Sequence, residues 1–132
     1  MKTKVALIPY HDDKILVARS SNPMFGGPHF ALAKGTVDPG ENLQEAALRE
    51  AQEELGLKVE NMVLSTFKHL GNFKTFDYIL SVYICEVKDP NDFNEHDWEI
   101  AETKWMTWKE FSAVGRKQHR PIVNGFFQSI NS

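Results

Sequence analysis

Cysteine is the scarcest chemistry in this chain: Cys85 stands alone. One thiol cannot close an intrachain disulfide and cannot build a cysteine-rich zinc site. Long apolar runs are missing as well. No segment approaches the roughly 18 apolar residues of a membrane helix. The opening run Val5-Ala6-Leu7-Ile8-Pro9, closed by His11-Asp12-Asp13, is too short for a secretory leader. Nor is there an excess of positive charge: 15 Lys+Arg against 18 Asp+Glu leave a net charge of −3. That balance gives no bulk attraction to nucleic acid or an anionic membrane, although it permits a local basic pocket. The 8 glycines and 6 prolines are scattered, with no repeat and no low-complexity tract, so fibrous and disordered classes are excluded. What is present is 132 residues, 42% hydrophobic and 25% charged, the profile of one globular domain over residues 1–132. A reducing cytoplasm is the simplest compartment for it.

Two apolar stretches, Val5–Tyr10 and Ile15–Arg19, flank the polar His11–Lys14 and read as a β-hairpin. Pro9 cannot donate to a ladder, which predicts an edge position or a bulge. Residues 20–29 are loop, and Phe30–Ala33 reads as a short strand entering Lys34-Gly35. Asn42 and Glu45 form a capping box ahead of an apolar stripe of Leu43, Ala46, Ala47, Ala51 and Leu55, which Gly56 ends. Residues 57–69 suit one or two strands, and Phe76–Val87 is the best strand. A polar loop over 89–97 leads to a last strand, Thr103–Met106, and a helical turn at Trp108–Phe111. Pro121 opens a C-terminal helix on which Ile122, Val123, Phe126, Phe127 and Ile130 repeat with helical period. The sum is an α/β layered domain with a sheet of mixed direction.

Glu50, Glu53 and Glu54 crowd one face of the capped helix behind Arg49. Like charges at this spacing cost a few tenths of a kcal/mol per pair, roughly, so stability alone does not ask for them. Such a cluster can share a hard divalent cation, which stabilises charge on phosphoryl oxygens and lowers the pKa of a water. An acidic, solvated helix face is the plainer reading of the same residues, and spacing leaves both open.

Gly35, Glu41, Arg49-Glu50-Ala51, Gln52, Glu53-Glu54 and Leu55-Gly56-Leu57 together resemble the Nudix box, the signature of hydrolases acting on nucleoside diphosphates linked to another moiety. Every charged and glycine position of that pattern is matched, and Ala51 is smaller than the aliphatic residue usual at its place. The resemblance implies a Nudix-like α/β/α sandwich with a mixed sheet between helices. It implies that Glu50, Glu53 and Glu54 hold one or more Mg²⁺ or Mn²⁺ ions, joined by the backbone of Lys34. Arg49 would fix the carboxylates rather than touch substrate. Glu41 would tie the loop to the helix, with an ordinary first-turn acid as the alternative. Relatives often add a carboxylate six residues before the tryptophan of the last strand. Here that is Glu99, expected as extra ligand or general base, among Glu95, Asp97 and Glu102; a solvated loop glutamate is its competitor. The base would act from Glu99 or from the box itself, at Glu50 or Glu53.

Substrate choice lies outside the box. Lys34-Gly35 and Asp38-Pro39-Gly40-Glu41 resemble the corresponding segment of Nudix enzymes that cut dinucleoside polyphosphates, with Ala33 in place of proline and Thr36 in place of histidine. Lys34 and Arg19 are expected along a phosphate track, or else in surface salt bridges. Phe25 and Phe73, in glycine-containing stretches, are the candidates for stacking on a base, rather than Phe76 or Tyr83. His69, His96 and His119 could donate to phosphate, and their spacing supports no zinc site. The expected partner is a small nucleotide, on a monomer or homodimer without membrane contact. Other readings are a nucleotide sugar or ADP-ribose, a nucleoside triphosphate, an RNA 5′ end, or a binding module without chemistry.

Overall fold

The computed structural model describes residues 2–22 and 28–131. Six strands form one sheet: β1 (Lys2–His11), β2 (Lys14–Ser20), β3 (Ala33–Thr36), β4 (Met62–Lys74), β5 (Tyr78–Val87) and β6 (Ile100–Met106). The order is β4-β5-β1-β2-β6, with β3 also paired to β1. β1 and β5 are parallel and the remaining pairs antiparallel. Side chains alternate across this sheet with a period of two. Val5 and Leu7 enter a cluster with Ala46, Ala47, Ala51 and Leu55 of α1 (Leu43–Leu55). Ala6 and Ile8 enter the other cluster, with Phe111 of α2 (Trp108–Val114) and Ile122, Val123, Phe126 and Phe127 of α3 (Arg120–Ile130). Helices thus cover both faces of a mixed sheet, as the sequence implied. With both faces covered, β5 is buried along nearly all of its length rather than at alternate residues.

α1 begins and ends as its sequence dictates. The Asn42 side chain accepts from the Glu45 N–H at 2.8 Å, and Glu45 accepts in return from the Asn42 N–H at 3.2 Å. Gly56 ends the helix at φ 71°, ψ 22°. Thr107 and Glu110 form a second capping box, which extends the helical turn expected at Trp108–Phe111 into a helix over Trp108–Val114.

The structure corrects several expectations. Pro9 lies inside the sheet, on a strand paired along both flanks, not at an edge. Its missing N–H is tolerated because β1 changes partner there: Lys4–Leu7 pair with β3, and pairing with β2 resumes only at Tyr10. The Phe30–Ala33 strand is displaced to Ala33–Thr36, leaving Phe30 and Ala31 in isolated bridges to Gly115 and Ala18. Phe73 is not in a loop. It belongs to β4, opposite Leu80, and packs on the α2–α3 side of the sheet. Ile130, expected on the buried face of α3, is 38% exposed.

His119 is fully buried, and its Nδ1 accepts the Leu32 N–H at 3.1 Å. Burial, with the Lys34 and Arg116 charges behind it, pushes its pKa down to about 3. Because the folded-state pKa lies below the unfolded one, the neutral ring's contribution is present above about pH 6.5 and is lost as pH falls toward 3. Urea melts should show this loss, on the order of 2–4 kcal/mol across that window. His119→Asn should flatten the slope there, and an unchanged slope would dissociate His119 from acid unfolding.

Candidate active site

Arg49 organises the acidic helix. Its Nε donates to Glu41 Oε2 at 2.7 Å and its Nη2 to Glu41 Oε1 at 3.1 Å, a two-pronged grip on one carboxylate. Nη2 also donates to the Thr36 carbonyl at 2.9 Å, and Nη1 to Glu50 Oε1 at 2.9 Å. Glu53 sits at 3.4 Å from Nη1 and Asp38 at 3.3 Å from Nε. One guanidinium therefore joins the end of β3, the following turn and two turns of α1. The Arg49 bonds hold the Glu41 carboxyl below the usual range, and the Asp38 N–H donates to Glu41 at 2.9 Å. Glu41 is the tie between loop and helix.

Glu50 and Glu54 have the opposite problem. Burial raises the Glu50 pKa against the pull of Arg49. Burial raises Glu54 further, to about 8, with the neighbouring Glu50 charge adding to it. The Lys34 charge pulls Glu54 the other way without cancelling the rise. Among the described residues no three His, Cys, Asp or Glu side chains converge as a ready-made metal cage. The donor set nevertheless fits a hard divalent cation on two observations. Glu50 and Glu54 are neighbouring carboxyls that burial and each other's charge keep from ionising freely, and a cation between them would offset both charges. A Cβ at Gly35 would fall on the Glu50 carboxyl group, so glycine alone leaves the β3 backbone this close to the cluster.

The loop between β5 and β6 is anchored to the same helix. The Asn94 N–H donates to the Gly56 carbonyl at 2.7 Å, and the Asp97 N–H to the Glu53 carbonyl at 2.9 Å. The Ser21 N–H and hydroxyl both donate to the Glu99 carbonyl, each at 2.8 Å. These bonds bring Asp97 and Glu99 to a pocket of about 380 Å³ that Glu50, Glu53, Glu54, Lys34 and Arg116 also line. At Gly56 a side chain would meet both a positive φ and the Asn94 backbone. Gly56→Ala should therefore lower stability by about 1–3 kcal/mol and shift the loop bearing Asp97 and Glu99. A thermal melt and a turnover assay check both effects, and a variant equal to the parent would show that the anchor is dispensable.

Of the residues expected in the site, Glu50, Glu53, Glu54, Lys34 and Glu99 come together around this pocket, with Arg49 bonded to Glu50 and Glu53 behind it. Arg19 does not join them. It faces Glu102 across the β2–β6 ladder and pairs with it at 3.4 Å, because the register puts the two side by side. Phe73 does not line the pocket either, and Phe25 lies outside the described residues. His29 and Arg116 line it without having been anticipated. The one sequence signal for Arg116 was the basic tract Arg116-Lys117-Gln118-His119-Arg120.

A helix bearing three glutamates, braced by one arginine, thus shares a pocket with two acidic residues of a loop at the end of an α/β/α sandwich. A family profile described as NUDIX domain matches residues 1–126. The chain belongs to the Nudix hydrolase family. It is 33% identical over 106 residues to an uncharacterized Nudix hydrolase, orf19, of Rhodococcus erythropolis, covering 76% of this chain and 57% of that one. It is 32% identical over 111 residues to the asymmetrical bis(5′-nucleosyl)-tetraphosphatase of Mus musculus, covering 79% of this chain and 73% of that one. Other curated relatives are longer still, and the chain spans as little as 26% of their length. Its fold resembles that of a C. elegans Ap4A hydrolase in a binary complex, with a TM-score of 0.78 at 18% identity, covering 99% of this chain and 98% of that one. No helix among the described residues is long and apolar enough to cross a membrane.

Proposed function

We propose that this chain hydrolyses a phosphoanhydride bond in a nucleoside diphosphate linked to another moiety, most favourably a dinucleoside polyphosphate, with Mg²⁺ or Mn²⁺. The observation that carries the reading is the juxtaposition of Glu50, Glu53, Glu54 and Glu99 around one pocket that Lys34 also lines. The likeness to a tetraphosphatase over 73% of its length supports the choice of substrate.

Glu50, Glu53 and Glu54 would hold the ion, with Lys34 contributing its backbone. When bound, it would neutralise phosphoryl oxygens and make an attacking water more acidic. Arg49 keeps the carboxylates in place through its bonds to Glu41, Glu50 and the Thr36 carbonyl. Glu99 removes the proton from the attacking water, and the products are a nucleotide and the phosphorylated remainder. No covalent intermediate forms: Cys85 is fully buried, and burial pushes its thiol pKa up. The protein acts in the cytoplasm as a monomer or homodimer.

A chromatographic panel of nucleotides with and without metal tests this. Dinucleoside tetraphosphate should exceed ADP-ribose and nucleoside triphosphates in kcat/KM, and excess chelator should abolish turnover. A tenfold preference for ADP-ribose or a triphosphate would overturn the substrate reading. Full turnover in chelator would overturn the mechanism, and no product from any compound would leave a binding module.

A further inference from the structure

We infer that Arg116, together with Lys34, forms a phosphate-binding wall that grips the part of a polyphosphate chain away from the glutamates and makes this site select for three or more consecutive phosphates. The inference rests on the hydrolase reading above and deepens it by assigning the residue that sets chain-length preference.

Three observations carry it. Arg116 lines the pocket, yet among the described residues it makes no ion pair, although Glu50, Glu53, Glu54, Asp97 and Glu99 line the same pocket. The cation that serves the glutamates is Arg49, so Arg116 is not there to brace them. Its backbone, in contrast, is held on both sides. The Arg116 N–H donates to the Phe30 carbonyl at 2.7 Å, the His119 N–H donates to the Arg116 carbonyl at 3.0 Å, and His119 in turn accepts the Leu32 N–H. Gly115, just before it, packs so tightly on Phe111 that a Cβ would not fit there, and its carbonyl accepts from Arg120 Nε at 2.8 Å. A long cationic side chain is thus mounted on a rigid turn and, among the described residues, makes no ion pair in its cavity.

The third observation is a second cation. Lys34 and Arg116 line the same pocket, so two cations face one cavity. Two cations in one pocket lining are best met together by one anion that reaches both. A phosphate fits that need: guanidinium offers a planar fork to two of its oxygens, and ammonium a point charge to a third. A diphosphate linkage engaged by the glutamate end has no further phosphate for this wall, whereas a tri- or tetraphosphate has. Rigid mounting keeps low the entropy lost when the contact forms.

The test uses the whole chain and two readouts. Calorimetric titration of the metal-free protein with inorganic tripolyphosphate, at low salt and pH 7, should show binding at least about tenfold weaker in Arg116→Gln, with partial recovery in Arg116→Lys. Lys117→Gln, exposed on the same turn and outside the pocket, should bind like the parent. In turnover, the ratio of kcat/KM for diadenosine tetraphosphate to that for ADP-ribose should fall about tenfold in Arg116→Gln, chiefly through KM. Matched thermal melts show whether Arg116→Gln is folded; if it is not, Arg116→Lys carries the comparison. Equal tripolyphosphate affinity in parent and variant, or an unchanged substrate ratio, would overturn the assignment. Arginine-dependent tripolyphosphate binding in a protein that cleaves no dinucleoside polyphosphate would uphold the phosphate wall and sink the substrate reading instead.

Discussion

Glu54→Gln should lose about 10²-fold or more in kcat while the metal-free protein becomes more stable. The two effects have one cause. Burial and the Glu50 charge raise the Glu54 pKa to about 8, well above the 4.5 of an ordinary glutamate. With the folded-state value raised, the stability linked to Glu54 is complete below about pH 4.5 and is lost as pH rises through 8. Near pH 7 the site already carries part of that cost, and glutamine removes it while keeping the shape. A gain on the order of 1–3 kcal/mol, or several degrees in Tm, is expected in chelator, growing from pH 6 to pH 9. Adding Mg²⁺ should narrow the gap, since only the parent exchanges its proton for the ion. Calorimetry in buffers of different ionisation enthalpy should show proton release on Mg²⁺ binding by the parent at pH 7 and none by the variant. Undiminished turnover in Glu54→Gln would reduce this residue to helix surface.

The second large effect belongs to Glu99. Its carbonyl is clamped by Ser21 and the residue lines the pocket, so the loop brings Glu99 to the cavity from a different element than α1. Glu99→Gln should lower kcat by about 10²-fold with little change in KM, and the acidic limb of the kcat profile should vanish or shift. Recovery of the rate at high Mn²⁺ would instead make Glu99 a ligand. Glu102→Gln is the comparison, because Glu102 is occupied with Arg19 on the β2–β6 ladder. A normal Glu99 variant beside a collapsed Glu102 variant would mean that the loop presents the wrong carboxylate. Normal rates in both would return the base to Glu50 or Glu53.

Local chemistry made α1 and its surroundings readable in advance. The Asn42–Glu45 box, the Gly56 terminus and the glutamates one turn apart depend on neighbours a few residues away. Features set by distant partners were not readable in the same way. Pro9 tolerates an interior strand only because β3, some 25 residues on, ends its pairing just before it. Arg19 was drawn from the site by a register with β6, and Phe73 by a strand that runs on past its glycine. Arg116 entered the pocket because its turn docks on Phe30 and Leu32, a contact between segments far apart in the chain.

The sheet is parted where the pocket opens. β1 gives Lys4–Leu7 to β3 and meets β2 only at Tyr10 and His11, while Ala31 bonds to Ala18 through both backbone groups, at 2.7 and 3.0 Å. The segment from Ala31 to Thr36 is therefore a wedge between two strands, and Ala18, Ala31 and Leu32 of this seam line the pocket. Main-chain ladders keep their spacing whatever side chains they carry. Substitutions can then retune the rim, at the Asn94–Glu99 loop and the Arg116 turn, without changing the width of the slot beneath. Such a scaffold confines novelty to its margins: the rim can change its chemistry while the paired backbone beside the glutamates stays as it is.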